Sequence, residues 1–232
     1  MTGTDDARDS IVRAAYPLFV KNGIRDTSLD EVRTAAGVTV TEFDSAFASR
    51  DELATAFLAM REREWTVGIV EAGARSRGAS PEGVLLAIFD VFHDWFHRDD
   101  FEACTFINVL LEMGREHPLG QASVTHLVHI RELVSTLATE AGLRDPDTFA
   151  LSWHILMKGA IINAVEGDQM AAMRSRGMAE DLIARFRVHS TRDYVAATKS
   201  HHHNDGFDDF DLDYRGHAGG DSSFSADDFP TS

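Results

Sequence analysis

Three helix starts lie close together between Thr27 and Leu53, and their spacing constrains the fold more than any other feature of the chain. Each start is a serine or threonine followed three residues later by glutamate: Ser28 with Glu31, Thr39 with Glu42, and Ser49 with Glu52. In such a capping box the hydroxyl and the carboxylate bond to the unpaired amide groups of a helix start. The pattern predicts two short helices, at about 29–36 and 40–47, and a longer one that begins at Arg50.

A glycine turn, Ala36-Gly37-Val38, joins the two short helices. Two short helices connected in this way form the helix-turn-helix pattern, whose second helix enters the major groove of DNA. The mutual core of these helices is expected to comprise Val32, Val38, Phe43 and Phe47. We therefore predict a helix-turn-helix DNA-binding domain over residues 1–50.

The rest of the chain also has helical periodicity and no strand-like alternation, so the predicted fold class is all-α. A first helix is expected over 6–22, with Pro17 kinking it or displacing its first turns. The helix that begins at Arg50 is expected to reach about Ala74 and to end in a break at 73–78. Later helices are expected over 84–97, 103–115, 119–141, 148–165, and from 169 to a point between 189 and 198.

Two of these later helices have a polar cap followed by proline at the first helical position, at Ser80-Pro81 and Asp145-Pro146. We predict that residues 51–198 form a larger helical domain for ligand binding and dimerisation. Residues 199–232 are rich in glycine, serine and aspartate with scattered phenylalanines, and such a composition buries too little to offset its ordering entropy. We predict a disordered acidic tail there.

Cysteine content and hydropathy limit the class of protein. The lone cysteine, Cys104, excludes an internal disulfide and fits a reducing compartment. No stretch approaches the roughly 18 uninterrupted apolar residues of a membrane helix, and the acidic N-terminal segment lacks the apolar run of a signal peptide. We expect a cytoplasmic protein.

The charge balance opposes the DNA-binding prediction, because affinity for phosphate comes from lysine and arginine. The formal net charge is −16. Residues 200–232 contribute eight aspartates and one arginine, but residues 1–60 are acidic as well, with ten carboxylates against six basic residues. The net charge of this region gives no support to DNA binding, although basic side chains could still be grouped on one edge of the domain.

The first 60 residues resemble the TetR family of bacterial transcriptional regulators. The resemblance rests on AAYPLFVKNGIRDTSLDEV, the turn AAGVT, Phe43, Phe47 and the SRDEL start of the next helix. Farther along, CTFINVLLEMGREHP is similar to an element of the ligand domain in one regulator subgroup. The resemblance implies an all-helical homodimer that binds two half-sites of a palindromic operator and dimerises through its last two helices. It also implies a small-molecule pocket whose filling releases double-stranded DNA.

The recognition helix departs from the family pattern in charge. Val40 stands where the family usually has lysine, and Asp44 stands where it has a tyrosine that contacts phosphate. Arg33 replaces a residue of the second helix that is usually small. The expected DNA contacts, including those at helix N-termini, are Thr27, Ser28, Thr39, Val40, Thr41, Glu42, Asp44, Ser45 and Arg50. The hydroxyls of Ser28 and Thr39 are alternatively caps only.

Aromatic and large apolar residues on the later helices are expected to line a pocket for a small apolar or aromatic effector. The expected pocket residues are Phe89, Phe92, Trp95, Phe96, Phe106, Leu110, Met113, Trp153 and Met157. An ordinary packed core is the alternative for each of them.

Metal and enzyme chemistry find little support in the sequence. His93 and His97 share one helix face, as do His126 and His129, but zinc needs further ligands and no Cys or Glu falls in a recognised spacing. The three histidines at 201–203 would bind metal only weakly. We expect no metal site and no cofactor. No nucleophile–base pair or phosphate loop occurs, so we expect no enzyme.

Two functional hypotheses follow. The first is a ligand-responsive, homodimeric transcriptional regulator, most simply a repressor. The second is a sensor or interaction protein of the same fold that has lost DNA binding and acts through protein partners, as the acidic recognition helix favours. The tail could bind such a partner, compete with DNA by its charge, or only keep the protein soluble.

Overall fold

The structure, a computed structural model, describes residues 2–188, and within them the chain is helical. The α-helices are α1 (Thr2–Asn22), α2 (Leu29–Ala36), α3 (Val40–Ala46), α4 (Arg50–Arg61), α5 (Ala72–Arg77), α6 (Pro81–Phe96), α7 (Thr105–Met113), α8 (Pro118–Glu140), α9 (Pro146–Val165) and α10 (Ala171–Phe186). A π-helix, Glu62–Glu71, connects α4 to α5. The all-α prediction is confirmed, while the predicted tail lies outside the described residues.

Local hydrogen bonds set the starts of α2 and α3, as the sequence predicts. Ser28 and Thr39 each accept an amide hydrogen bond of the first turn, and the glutamate three residues on bonds back to the cap. Gly37 ends α2 at φ 68°, a left-handed conformation that glycine adopts without steric cost. The two short helices are therefore separated by a turn of only three residues.

The third capping box is incomplete. The Ser49 hydroxyl accepts from the amide of Glu52, as predicted. The Glu52 carboxylate, however, accepts from the amide of Ala48 at 2.8 Å and pairs with Arg8 of α1 at 3.0 Å. Tertiary packing therefore uses this carboxylate to attach the start of α4 to α1.

The predicted break at 73–78 is confined to Gly78. The chain stays helical from Arg50 to Arg77, with Gly73 inside the helix at a close approach to α6, where an added Cβ would lie 3.0 Å from a methyl group of Val91. At Gly78 an added Cβ would lie 2.3 Å from the amide nitrogen of Val84, so only glycine fits there.

Other predicted helix limits also shift. Helix α1 continues through Pro17, and α7 stops at Gly114, which has φ 82°. The last helix ends at Phe186, earlier than predicted, and Arg187 then pairs with Glu82 of α6 at 2.6 Å. The predicted extension to 189–198 lies outside the described residues.

The N-terminal helices share the core that the sequence predicts. Val32, Phe43 and Phe47 are buried, and Val38 packs against them from a half-buried position. On the far side, α9 packs between α8 and α10. Among the described residues, α9 is the one helix long and apolar enough to cross a membrane by length and composition, and 39% of its apolar window is buried inside the protein.

Candidate nucleic-acid interface and ligand cleft

Helix α3 presents a short polar surface. Phe43 and Ala46 point into the core, which turns Val40, Thr41 and Asp44 outward. Val40 is 57% exposed and adds an apolar side chain to this surface. The predicted contact Ser45 is also exposed, although its hydroxyl donates to the carbonyl of Thr41 at 2.7 Å.

Two carboxylates stand on this surface, and they differ in their bonding. Glu42 accepts hydrogen bonds from the Thr39 amide and hydroxyl, both at 2.8 Å, and these bonds hold the pKa of Glu42 below its usual range. The Glu42 carboxylate is therefore occupied in capping α3. Asp44 is exposed and has no ion-pair partner within residues 2–188. Asp44 therefore faces whatever approaches α3.

Two arginines flank α3 in sequence, Arg33 and Arg50, and both make contacts within the protein. Arg33 pairs with Asp30 and lies 5.5 Å from the ring of Phe43. Arg50 donates to the backbone carbonyl of Arg25 at 2.8 Å. These contacts hold both guanidinium groups against the protein.

The predicted contacts at the start of α2 divide into two cases. Ser28 is half-buried and caps the helix, which leaves its oxygen near the surface. Thr27 is buried, and its hydroxyl donates to the carbonyls of Gly23 and Leu18. The Thr27 side chain therefore stabilises the end of α1 and does not reach the surface.

A cleft of about 430 Å³ opens between α1, α4, the π-helix and α6. Trp65 and Trp95 form its apolar floor, with ring centroids 4.6 Å apart. Four arginine–carboxylate pairs surround it: Arg13–Glu64 at 2.8 Å, Arg61–Glu102 at 3.0 Å, Arg77–Asp94 at 2.7 Å and Arg98–Asp100 at 2.7 Å. The cleft thus combines aromatic surface with paired charges of both signs.

The most buried of these four pairs, Arg61–Glu102, also contacts α1. The side chains of Arg61 and Glu102 are 13% and 14% exposed. Tyr16 of α1 donates its hydroxyl proton to the same carboxylate, and Arg61 lies 5.0 Å from the Tyr16 ring. Burial, and then the hydrogen bond to Glu102, raise the pKa of Tyr16 above its usual range. The cleft is therefore joined to the first helix of the predicted DNA-binding domain.

A second carboxylate also joins the N-terminal helices to the later ones. Glu112 of α7 accepts from the amides of Ile24 and Arg25, at 3.0 and 2.7 Å. Gly23 lies directly against this carboxylate, since an added Cβ would be 3.1 Å from it. The turn after α1 is thereby fixed on α7.

The predicted pocket residues do not line one common cavity. Trp95 lines the large cleft, Trp95 and Phe106 line a void of about 10 Å³, and Phe92 and Met157 line another of about 10 Å³. The other members pack in the core or against it: Phe89, Phe96, Leu110, Met113 and Trp153. Most of this aromatic group therefore fills space in the structure.

The sequence reasoning missed the residues that form the cleft. Arg13 and Tyr16 belong to the predicted DNA-binding domain, while Trp65 lies in the helix expected from Arg50 to about Ala74, to which no site residue was assigned. Large aromatic residues among alternating charges, as in REREW at 61–65, are the signal that could have indicated a polar-aromatic site.

A cluster of titratable side chains lies apart from the cleft. Nδ1 of His126 is 2.8 Å from Glu62 Oε2, and Nδ1 of His129 is 2.5 Å from Oε1. Burial lowers the pKa of His126 despite the carboxylate. Cys104 is also buried, and burial raises the pKa of its thiol. A buried thiol of raised pKa is a poor redox sensor.

Exposed apolar residues gather on α9 and α10. On α9, Leu151, Ile155 and Ile162 are 52%, 72% and 45% exposed, at spacings that place them on one helix face. Met178 of α10 is 58% exposed. Leu151, Ile155 and Ile162 thus form an apolar stripe in which Lys158 is the charged residue on the same helix line, and exposed apolar surface of this size is typical of an association surface.

Comparison with known proteins gives a likeness of structure alone. No protein-family model matches the sequence, and no curated protein matches it. A TetR-family transcriptional regulator from Streptomyces coelicolor matches with TM-score 0.70 and 21% identity, over 78% of this chain and 96% of that one. The TetR-family regulator from Cytophaga hutchinsonii matches with TM-score 0.68 and 19% identity, over 82% and 99%.

A third solved structure is the multidrug binding protein EbrR complexed with malachite green. It matches with TM-score 0.59 and 20% identity, over 76% of this chain and 97% of that one. The match covers at least 96% of each of these three solved chains. The chain therefore has the fold of the TetR-family transcriptional regulators.

Proposed function

We propose that the protein is a ligand-responsive, DNA-binding transcriptional regulator of the cytoplasm, acting as a homodimeric repressor on a palindromic operator. The observation that carries the proposal is the placement of α3. Phe43 and Ala46 fix its core face, while its outer face, with Val40, Thr41, Asp44 and Ser45, is open. A short helix held in this way within a TetR fold has the geometry of a major-groove probe.

The apolar stripe on α9 supports the homodimer. A two-fold axis brings the same surface of each copy together, so Leu151, Ile155 and Ile162 of one copy would cover those of the other. Gly159 is exposed on the same face and has open space around it, which permits close approach of a second helix. The dimer would then hold two α3 helices at a fixed separation, as a palindrome requires.

The cleft supports ligand response. Its floor of Trp65 and Trp95 suits an aromatic ring, and its charged rim suits a ligand that also carries polar or charged groups. A ligand that competes for the Arg61–Glu102 pair would change the environment of Tyr16 and so the seating of α1. Such a ligand shifts the DNA-binding equilibrium only if α1 can pack in two positions and the ligand binds one of them more tightly than the other.

The test is a binding selection of the full chain on random duplex DNA, at low and at moderate salt. The expected result is a palindromic sequence whose half-sites lie about one helical turn or more apart on one DNA face. Changing Asp44 to lysine should strengthen nonspecific binding and steepen the salt dependence. A folded dimer that selects no palindrome under any condition would rule out the regulator.

A second function, binding of a protein partner through α3 without DNA binding, is favoured by one observation. The open face of α3 carries Asp44 and has no lysine or arginine between Thr34 and Ser49. Its partner would present a basic surface. Failure of the DNA selection, together with loss of a partner on the Asp44-to-lysine change, would support this function instead.

A further inference from the structure

The Glu62, His126 and His129 side chains form a compact group that neither the cleft nor α3 uses. Glu62 is the first residue of the π-helix, while both histidines lie on α8, three residues apart on one face. One donor atom from each of the three lies within 4.8 Å of the other two. Both histidines turn Nδ1 toward the two oxygens of a single carboxylate.

Two imidazoles and one carboxylate are a ligand set that transition metals take in proteins. Ligands about 2.0–2.1 Å from a tetrahedral ion are separated by about 3.3 Å. The present nitrogen–oxygen distances of 2.5 and 2.8 Å would therefore open by less than 1 Å to admit an ion. We propose that Glu62, His126 and His129 bind one divalent transition-metal ion of the Zn²⁺ class.

The surroundings of the group suit a site with three protein ligands. The Phe106 ring packs on His126 at 4.9 Å between centroids, which restricts the imidazole. His129 is 46% exposed, so solvent reaches the site and a water completes the tetrahedron. The side chains of Glu62 and His126 are less exposed, at 25% and 13%, and form the inner side of the proposed site.

The metal would connect two distant parts of the chain. Glu62 directly follows α4, the helix that leaves the predicted DNA-binding domain, and α8 belongs to the larger helical part. An ion bound by both would fix the junction of α4 and the π-helix on α8. Because metal that binds the folded state stabilises it, occupancy should raise the unfolding temperature.

The test uses the metal-free full chain with His201, His202 and His203 replaced by alanine, so that tail histidines do not compete. Zn²⁺ is titrated against a chromophoric chelator, with no DNA present. We expect one ion per chain, with affinity lowered at least ~10-fold by Glu62→Gln and by His129→Ala. Since His129 is the most exposed ligand, its replacement leaves the fold intact.

The matched control is the double change His93→Ala and His97→Ala. These rings lie 4.4 Å apart at the end of α6, where His97 is the C-cap, and they form the other neighbouring histidine pair of the described residues. Zn²⁺ affinity should not change in this variant. Co²⁺ should give the visible absorption of a tetrahedral complex in the parent chain and lose it in His129→Ala.

Two results would overturn the site. One is the absence of Zn²⁺ binding by the tail-substituted chain. The other is binding with an affinity that Glu62→Gln and His129→Ala leave unchanged. Neither result bears on the regulator proposal, because the titration contains no DNA.

Discussion

The most informative perturbation is Glu102→Gln, because it neutralises the carboxylate shared by Arg61 and Tyr16. The Arg61–Glu102 pair is 3.0 Å long, and its two side chains are only 13% and 14% exposed. Removing one partner of a buried pair costs about 3–5 kcal/mol, since the other charge stays desolvated. The amide still accepts from Tyr16 and the site is not fully buried, so we expect a loss of about 2–3 kcal/mol.

Urea unfolding at pH 7 and fixed protein concentration measures this loss. With an m-value of roughly 2–3 kcal/mol/M for a chain of this size, the midpoint should fall by about 1 M. The matched control is Asp100→Asn, which removes an exposed pair with Arg98, whose side chains are 55% and 68% exposed. Solvent already screens that pair, so little change is expected.

Equal midpoints for Glu102→Gln and Asp100→Asn would refute the reasoning. That result would mean that water already solvates the Arg61 guanidinium in the native state. The Arg61–Glu102–Tyr16 contacts would then hold α1 too weakly to transmit ligand binding, as the proposed response requires. A larger loss for Glu102→Gln with an unchanged m-value would support it.

Three further predictions concern other parts of the chain. Burial lowers the pKa of His154 to about 4. The contribution of His154 to the free energy of unfolding is therefore complete above pH 6.5 and falls by up to ~3 kcal/mol toward pH 4, because the unfolded state takes up a proton there. In urea unfolding, His154→Gln should reduce this decline. Gly23→Ala should cost about 1–3 kcal/mol, measured in the same way, because φ is 81° and Glu112 is close. Ile155→Glu should yield a folded monomer in analytical ultracentrifugation, because it places a charge in the apolar stripe of α9.

Each of the three has a control and a contradicting outcome. An undiminished acid decline in His154→Gln would assign the proton uptake to other groups. Gly177→Ala, at an open helical position, is the control for Gly23→Ala and should not destabilise the protein. A dimer that survives Ile155→Glu, with Thr55→Glu on the surface of α4 as control, would place the interface elsewhere.

The sequence by itself determined where α2, α3 and α4 begin and which residues form the core of the helix-turn-helix. Ser28 with Glu31 and Thr39 with Glu42 are three residues apart, so both partners meet inside one helical turn, whatever the rest of the chain does. Apolar periodicity likewise gave the buried face that holds Val32, and the fold prediction is confirmed.

Only the tertiary structure decided how the helices are used. Glu52 has the spacing of a capping box, yet Arg8 and the amide of Ala48 take its carboxylate. Gly73 has the weak helix propensity expected at a break, yet it lies within a continuous helix at a close approach to α6. Such outcomes depend on the rotation and crossing of whole helices, which local sequence does not specify.

The candidate sites show the same division. The sequence named Phe89 and Trp153 as pocket residues by their size and apolar character but could not separate a packed core from a pocket wall, because both require the same apolar residues, and both side chains are buried in the core. The cleft floor joins Trp65 to Trp95, and Glu62 meets His126 across more than sixty residues. Contacts so distant in sequence produce no recognisable spacing, because the packing of the π-helix on α6 and α8 brings them together.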